Sequence, residues 1–309
     1  MAKKWVYAIV LVIGLAFLSL IVASIIGLMA GMSGAFDTGG TGNVMHLSLS
    51  GPILEGAGQG LFASGEGMVT HIKDNIRRAN EDPGIDAVVL SIDSPGGGAV
   101  ASYEIVQALD ELEKPSVSVV GSLSASGAYW IASSTDRIIT NPLSMLGSVG
   151  VTSSYLEVSG LLEEYNVTYE RLVAGDMKDA GSPLRPLDDD SREMLQGQID
   201  RVHEFFVEDV SEKRGLSSEQ RDYLSDARIF LGKDSVDYNI ADQLGGIDDA
   251  KDYLEQELNK TVDLREVRRR TGGFPFLSAV SEDFGFNFGR GFASWLYSSN
   301  EDDELISLR

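Results

Sequence analysis

The stretch of sequence that decides the fold is AVVLSIDSPGGGAVASYEIVQALDELEKPSVSVVGS, residues 87–122. It begins with a short, continuously apolar run, residues 87–93, which is typical of a strand buried on both faces. Residues 101–114 then have the spacing of an amphipathic helix, and residues 116–122 return to a strand pattern. A strand, a helix and a second strand in this order predict a βαβ unit with two parallel strands.

The same alternation of strand and helix patterns continues on both sides of this stretch. It predicts an α/β protein in which helices pack around a parallel sheet. Further helices are predicted at residues 65–82 and 190–215, and further strands at residues 43–51, 136–142, 147–154 and 261–267.

The N-terminal region has the composition of a membrane anchor. Residues 5–32 contain no charged residue, and about 20 apolar residues suffice for a helix to span a bilayer. A cleaved secretory signal has a shorter apolar region, of about 7–15 residues. Lys3 and Lys4, within residues 1–4, are the flanking positive charges, and such charges mark the cytoplasmic side. The sequence therefore predicts a single-pass protein of the cell membrane, with a cytoplasmic N-terminus and its bulk outside the cytoplasm.

Three segments follow the predicted anchor. Residues 33–42 are rich in glycine, serine and threonine, which is typical of a flexible linker. Residues 43–270 contain the strand and helix patterns and are predicted to form the main folded domain. Residues 271–309 form an aromatic-rich tail, and two interpretations of it stay open. It either docks on a membrane interface or a partner, or packs as a C-terminal element on the chain's own core.

Composition excludes several classes of function. The chain has 47 acidic and 25 basic residues and a net charge of −22, so no basic face is available to bind a nucleic-acid backbone. It has no cysteine, which excludes disulfides, zinc–thiolate sites and thiol catalysis. No motif of the sequence indicates a metal or an organic cofactor.

Two turns rich in small residues follow neighbouring predicted strands. DSPGGG, residues 93–98, follows the first strand, and SASGAYW, residues 124–130, lies at the end of the next. The first turn lacks the Lys-Ser/Thr pair of a Walker loop and the GxGxxG spacing of a Rossmann fold. Because consecutive parallel strands end at the same edge of a sheet, one turn can present a serine and the other backbone N–H donors. A nucleophile beside an oxyanion hole is the geometry of acyl transfer.

A serine nucleophile needs a base, and histidine is scarce in this chain. The three histidines are His46, His71 and His203, and the last two lie in predicted helices. No histidine occurs between those two, in the part of the chain that holds both turns. A Ser-His-Asp triad is therefore disfavoured, and the alternative is a serine paired with a lysine.

Among nine lysines, Lys178 is the candidate for this base, and an ordinary surface lysine is the alternative interpretation. It lies in the glycine-containing segment AGDMKDAGSP, residues 174–183, which is typical of an ordered loop. A lysine accepts a proton only when its amine is neutral, a form that desolvation favours and nearby carboxylates disfavour. The side chains of Asp176 and Asp179 must therefore point away from Lys178.

Four motifs together resemble one family of enzymes. DSPGGG, SASGAYW, LGSVGV (residues 146–151) and GDMKDAGSPLRP (residues 175–186) occur in the order and spacing of the signal peptide peptidase A family of membrane-bound serine proteases. The chain resembles the short form of this family, with a single catalytic repeat, over roughly residues 43–260. ARIFLGKDSVDYNIADQLGGID, residues 227–248, extends the resemblance.

The resemblance implies a role for particular residues. They are the nucleophile Ser126, the general base Lys178, Ser148 to orient the lysine, and the backbone N–H groups of Gly97 and Gly127 as oxyanion donors, with Gly96 as a neighbouring candidate. Two positions depart from the family's pattern. Ala128 replaces a second glycine after the nucleophile, and Leu146 stands where a small hydroxyl residue is frequent.

The resemblance also implies a fold and a function. It implies a ClpP/crotonase-like fold of repeated β-β-α units, a homo-oligomeric ring or dome, and residues 43–270 as the serine protease domain. The expected substrates are signal-peptide remnants and other apolar peptides in or near membrane lipid. Two alternatives stay open: a crotonase-type acyl-CoA enzyme, which would use a similar oxyanion hole, and a catalytically inactive membrane scaffold of the same fold.

Overall fold

The structure is a computed structural model that describes residues 41–56 and 67–267 of the chain, together with four isolated residues near the N-terminus. Most of the predicted anchor, residues 5–32, and all of the predicted tail, residues 271–309, lie outside the described residues. Most of the predicted linker, residues 33–42, also lies outside them. The four isolated residues are helical and are Gly14, Leu18, Ser19 and Val22.

The contacts of the chain divide it into two units. The unit described below comprises Gly40–Ala57 and Glu66–Arg269. The other comprises Met1–Gly39, Gly58–Gly65 and Arg270–Arg309, and only the four isolated residues of it are described. None of the helices formed by the described residues has both the length and the apolar character needed to cross a membrane.

The described unit is built on one sheet. Its strands are β1 Val44–Ser50, β2 Ala87–Ser94, β3 Ser116–Ala125, β4 Arg137–Thr140, β5 Met145–Gly147, β6 Ile229–Leu231, β7 Gln243–Leu244 and β8 Leu264–Glu266. The main path of the sheet has the order β6-β5-β3-β2-β1-β8, and β4 and β7 extend the sheet from β3. All of the described strand pairs are parallel except β5 with β6.

Helices connect the strands and cover both faces of the sheet. The larger core lies against the three helices that follow β1, β2 and β3, and includes Leu47, Leu90, Ile105 and Tyr129. A smaller core lies on the opposite face, beneath the last helix. The helices are α1 Met68–Glu81, α2 Ala99–Asp110, α3 Gly127–Ser133, α4 Ser159–Glu164, α5 Asp189–Lys213, α6 Ser218–Ser225, α7 Gly232–Ser235 and α8 Ile247–Leu258.

The predicted βαβ unit is confirmed. β2 is buried over most of its length, α2 follows it, and β3 pairs with β2 in parallel register from Val88↔Ser116 to Ser94↔Ser124. The α/β class and the parallel sheet predicted from the sequence are therefore correct. The strand predicted at residues 147–154 is wrong, because β5 ends at Gly147. Gly147 and Ser148 both have positive φ angles, 99° and 52°, which are incompatible with continued strand geometry.

The parallel register brings the two predicted turns to the same edge of the sheet. β2 ends at Ser94 and β3 ends at Ala125, and each strand is followed by a short turn and a helix. The chain after β1 also reaches this edge, where Ile53 N–H donates to Gly96 O at 2.9 Å and Gly98 N–H donates to Ile53 O at 2.9 Å. The carboxyl edge of the sheet thus holds both glycine-rich backbone and a serine-containing turn.

Candidate functional site

Ser126 occupies the turn between β3 and α3 in a backbone conformation that most residues avoid. Its φ and ψ angles are 55° and −128°. Strained backbone of this kind costs about 1–3 kcal/mol and persists only where the surrounding structure imposes it. The Ser126 N–H donates to Gly147 O at 2.8 Å, which fixes the turn against the end of β5. The Ser126 side chain is half-buried, and it has no hydrogen-bond partner among the described residues.

The other serines near Ser126 have different environments. Ser122 is exposed, and Ser124 is fully buried within β3. Ser133 is buried in α3, where its hydroxyl donates to Trp130 O at 2.7 Å. Of the four, only Ser126 combines a positive φ angle with a partly accessible hydroxyl. Ser126 therefore differs from its neighbouring serines in both backbone conformation and accessibility.

The glycine turn after β2 lies directly against Ser126. Gly96 has a φ angle of +88°, and a Cβ atom there would lie 2.6 Å from Ala125 O and 2.8 Å from Gly127 N. A Cβ atom on Gly97 would overlap the carbonyl oxygen of Ile53. A Cβ atom on Gly127 would lie 3.6 Å from Gly97 N. The structure therefore brings the backbones of Gly97, Ser126 and Gly127 together, and the absence of side chains on the glycines makes this approach possible.

Ser148 directly follows β5, the strand that pairs with the end of β3. β5 pairs with the end of β3 in the register Ala125↔Gly147, so the residues that follow the two strands are neighbours. Ser148 also has a positive φ angle, 52°, and its N–H donates to Arg228 O at 2.8 Å. Two serine residues with unusual backbone conformations thus end adjacent strands.

Lys178 is not joined to either serine by a hydrogen bond. It lies in a series of turns between α4 and α5 and is exposed. Its Nζ atom has no hydrogen bond or ion pair with any residue that the structure describes. The single chain therefore brings together Ser126, Ser148, Gly97 and Gly127, and leaves Lys178 in solvent.

The carboxylate of Asp179 pairs with two arginines rather than with Lys178. It accepts hydrogen bonds from Arg171 Nε at 2.7 Å and from Arg185 Nε at 3.1 Å. The hydrogen bond from Arg171, followed by that from Arg185, holds the pKa of Asp179 well below its usual range. The negative charge of Asp179 is thus already compensated by two guanidinium groups.

The same ion-pair network connects the Lys178 segment to α5. Arg185 also pairs with Asp188 at 2.7 Å, and Asp188 accepts the N–H of Ser191 at 2.8 Å as the N-cap of α5. The hydrogen bond from Arg185, followed by that from the Ser191 backbone, lowers the pKa of Asp188. These charged groups anchor the C-terminal side of the segment while Lys178 itself stays unpaired among the described residues.

One contact beside the site has no counterpart in the sequence argument. His203 lies on α5, and its Nε2 atom donates to Val149 O at 3.1 Å. This bond joins α5 to the residue that follows Ser148. The 54-residue separation of His203 and Val149 gives no local pattern from which the contact could be found.

Comparison with known proteins finds a matching family and several relatives. Residues 108–261 match Peptidase family S49. A protein of Synechocystis named as a protease is 32% identical, over 66% of this chain and 78% of the relative. A protein of Methanocaldococcus jannaschii, also named as a protease, is 28% identical over 99% of both chains. A protein of Enterococcus faecium named as a signal peptide peptidase SppA is 29% identical, over 75% of this chain and 68% of the relative.

These similarities define the class of protein. The chain belongs to peptidase family S49 and is a serine protease. Among solved structures, it aligns with a mutant of the 1510-N membrane-bound stomatin-specific protease at 13% identity and a TM-score of 0.47. That alignment covers 74% of this chain and 98% of the other.

Proposed function

We propose that this protein is a membrane-anchored serine endopeptidase that degrades cleaved signal peptides and other apolar peptides. The observation that carries the proposal is the convergence of Ser126, strained and half-buried, with the backbones of Gly97 and Gly127. A nucleophile next to two backbone N–H groups is the arrangement that acyl transfer requires. The name of the Enterococcus relative supports the choice of signal peptides as substrates.

The proposed chemistry uses five residues. Lys178 accepts the proton of the Ser126 hydroxyl, and Ser126 Oγ attacks the peptide carbonyl while Ser148 orients the lysine. The N–H groups of Gly97 and Gly127 donate to the oxyanion of the tetrahedral intermediate, and the protonated lysine gives its proton to the leaving amine. Water then attacks the acyl-enzyme and releases the second product. Loss of one oxyanion donor costs about 10²–10³-fold in rate.

Lys178 is exposed in the single chain, and the proposed chemistry requires that it be removed from water. An amine in water stays protonated, and desolvation favours the neutral form that can act as a base. We therefore propose that Lys178 becomes a base only when it is covered, and that a second copy of this chain covers it. Support comes from the chain between α4 and α5, which carries Lys178, because Leu172 is 91% exposed there and Met177 is 42% exposed. Large exposed apolar side chains close together in one segment are typical of an interaction surface.

The proposed organisation places the protease domain next to a bilayer. Residues 5–32 would anchor the chain, residues 33–42 would act as a linker, residues 43–270 would form the protease domain outside the cytoplasm, and residues 271–309 would form the tail. The support for the anchor is that residues 5–32 contain no charged residue and are long enough to span a bilayer as a helix. A peptide released within the membrane would then be near the enzyme that degrades it.

The test is hydrolysis of a quenched fluorescent peptide with the apolar sequence of a signal peptide. We expect Ser126→Ala and Lys178→Ala each to lower the rate by at least about 10³-fold, the scale of removing a member of a nucleophile–base pair. Ser122→Ala, which removes an exposed hydroxyl four residues from Ser126, is the matched control and should keep full activity. Full activity in Lys178→Ala would contradict the Ser–Lys pair.

A further inference from the structure

Ser102 has a buried hydroxyl that the proposed chemistry does not use. It lies in the first turns of α2 and is 0% exposed. Its backbone N–H donates to Gly98 O at 2.9 Å, but its Oγ atom has no hydrogen-bond partner among the described residues. Buried polar atoms are almost always hydrogen-bonded, so an unpaired one needs an explanation.

The Ser102 side chain lies beside the α-carbon of Gly127, in the place that a Cβ atom on residue 127 would need. A Cβ atom on Gly127 would overlap Ser102 Oγ and would lie 2.8 Å from Ser102 Cβ. One Hα of Gly127 takes the place of that Cβ atom, so this hydrogen points at Ser102 Oγ. A Cα–H···O contact of this kind is weak, but it recurs where helices approach each other closely.

The contact of Ser102 with Gly127 joins two helices. Each helix begins at or just after one of the proposed oxyanion donors. α2 begins directly after the Gly97–Gly98 turn, and α3 begins at Gly127. The two helices pack against each other. The separation of the Gly97 and Gly127 N–H groups therefore depends on how closely α2 approaches α3 at Ser102. Displacement of a catalytic group by about 1 Å can cost on the order of 10²-fold in rate.

We propose that Ser102 is a positioning residue for the oxyanion hole. Its hydroxyl oxygen contacts the α-carbon of Gly127 and sets the distance between the N–H groups of Gly97 and Gly127. The proposal rests on the proposed function, because it takes these two N–H groups as the oxyanion donors. It also explains why residue 127 must be glycine, although its φ angle is one that other residues can adopt.

The chain offers a matched control for the hydroxyl of Ser102. Ser118 is also 0% exposed and also has an Oγ atom without a partner among the described residues. It lies on β3, eight residues before Ser126, and pairs in register with Leu90 and Ile138. Ser118→Ala and Ser102→Ala thus remove the same unpaired group from two buried sites, of which one contacts Gly127.

The first experiment compares kcat and KM for these two variants. Ser102→Ala should lower kcat about tenfold with KM unchanged, a smaller effect than the loss of a whole donor. Ser118→Ala should keep the wild-type kcat, and the two variants should have similar unfolding temperatures. Equal kcat values in the two variants would overturn the positioning role.

The second experiment adds a side chain at position 127 of α3 and removes the one at position 102 of α2. Gly127→Ala should lower kcat by at least about 10²-fold, because its methyl group overlaps Ser102 Oγ. Ser102→Gly removes both overlapping atoms, so the double variant Ser102→Gly/Gly127→Ala should regain at least about tenfold. No recovery in a folded double variant would overturn the proposal.

Covalent labelling separates failure of this inference from failure of the proposed function. A serine-directed phosphonylating probe should label Ser126 in the wild-type protein, and more slowly in Ser102→Ala than in Ser118→Ala. No labelling of Ser126 in the wild type would contradict the proposed function and the positioning role together. Labelling of Ser126 at equal rates in the two variants would contradict the positioning role alone.

Discussion

Two serine residues at the ends of adjacent strands hold backbone conformations that side chains usually avoid. Ser126 and Ser148 have φ angles of 55° and 52°, and each N–H donates to a carbonyl of a different segment, Gly147 and Arg228 respectively. The strain, about 1–3 kcal/mol at each residue, is therefore held by hydrogen bonds to neighbouring strands and loops. This backbone places both serine side chains at one edge of the sheet.

At the scale of single residues, the packing around Gly96 predicts the effect of replacing it. A Cβ atom there would lie 2.6 Å from Ala125 O, at a φ angle of +88° that favours glycine. Gly96→Ala should therefore lower the free energy of unfolding by about 1–3 kcal/mol and should also lower peptidase activity. Urea unfolding and peptide hydrolysis measure the two effects.

Gly160 provides the control for this substitution. It lies in α4, its Cβ position has no neighbour within 4 Å, and its φ angle is not positive. Gly160→Ala should change the free energy of unfolding by no more than about 1 kcal/mol, with a stabilising sign. A Gly96→Ala variant as stable and as active as Gly160→Ala would contradict the tight packing described around Ser126.

At the scale of elements, hydrogen bonds from two side chains of α3 hold this helix against other parts of the described unit. The Tyr129 hydroxyl donates to Ile240 O at 2.9 Å, and Trp130 Nε1 donates to Asp209 on α5 at 2.6 Å. Burial is the main reason that the pKa of Tyr129 is raised well above its ordinary value. These bonds hold the helix that begins at Gly127, and they connect the site to the second half of the described unit.

A buried ion pair next to Tyr129 gives the second prediction. Arg214, whose side chain is 5% exposed, pairs with Asp242 at 2.8 Å, and Asp242 also accepts the N–H of Ile138. Asp242→Ala leaves the buried arginine charge without its carboxylate partner, which should cost about 3–5 kcal/mol of unfolding free energy. Asp234→Ala, which removes an exposed pair with Lys233, should cost no more than about 1 kcal/mol. Equal losses in urea unfolding would contradict this account of the ion pair.

The third prediction concerns the pH dependence of the segment between Arg171 and Asp188. The pKa of Asp179 and that of Asp188 are lower in the folded protein, mainly because of hydrogen bonds from Arg171 and Arg185. Such groups stabilise the folded segment above the unfolded pKa of about 4, and this contribution is lost as the pH falls through the folded pKa. Hydrogen exchange of the segment should therefore accelerate, relative to α2, as the pH is lowered below about 4.

Asp179→Asn is the control for this prediction. It removes the charge that both arginines share, so the segment should exchange faster already at neutral pH, and further acidification should have less effect. An exchange rate that stays the same in the variant, relative to α2, would show that the ion pairs do not hold the segment.

The elements differ in how far the sequence could predict them. The apolar run at residues 87–93 and the two glycine-rich turns are local patterns, and they predict β2, β3 and the common edge of the sheet correctly. The antiparallel pairing of β5 with β6 joins residues about 80 positions apart, and no local pattern specifies it. The contact of Ser102 with Gly127 likewise depends on how two helices pack. The exposure of Lys178 is a property of the folded chain that its glycine-containing motif does not reveal.

At the scale of the whole molecule, the account requires that the exposed Lys178 be covered by a second copy of the chain. The fourth prediction is for an arrangement in which Lys178 of one copy acts as the base for Ser126 of another. Ser126→Ala and Lys178→Ala should each be inactive alone, and a mixture that exchanges subunits should regain a measurable fraction of wild-type activity. Sedimentation should show an oligomer in the same buffer. A monomer with full activity would contradict the proposed covering of Lys178.

The central claim, that Ser126 is the nucleophile and Lys178 its base, is tested most directly by covalent labelling. The protein is treated with a serine-directed phosphonylating probe, and the labelled peptide is identified by mass spectrometry. The account predicts a single labelled site at Ser126 in the wild type, no label in Ser126→Ala and at least about 10³-fold slower labelling in Lys178→Ala. Labelling of a different serine, or wild-type labelling rates in Lys178→Ala, would contradict it.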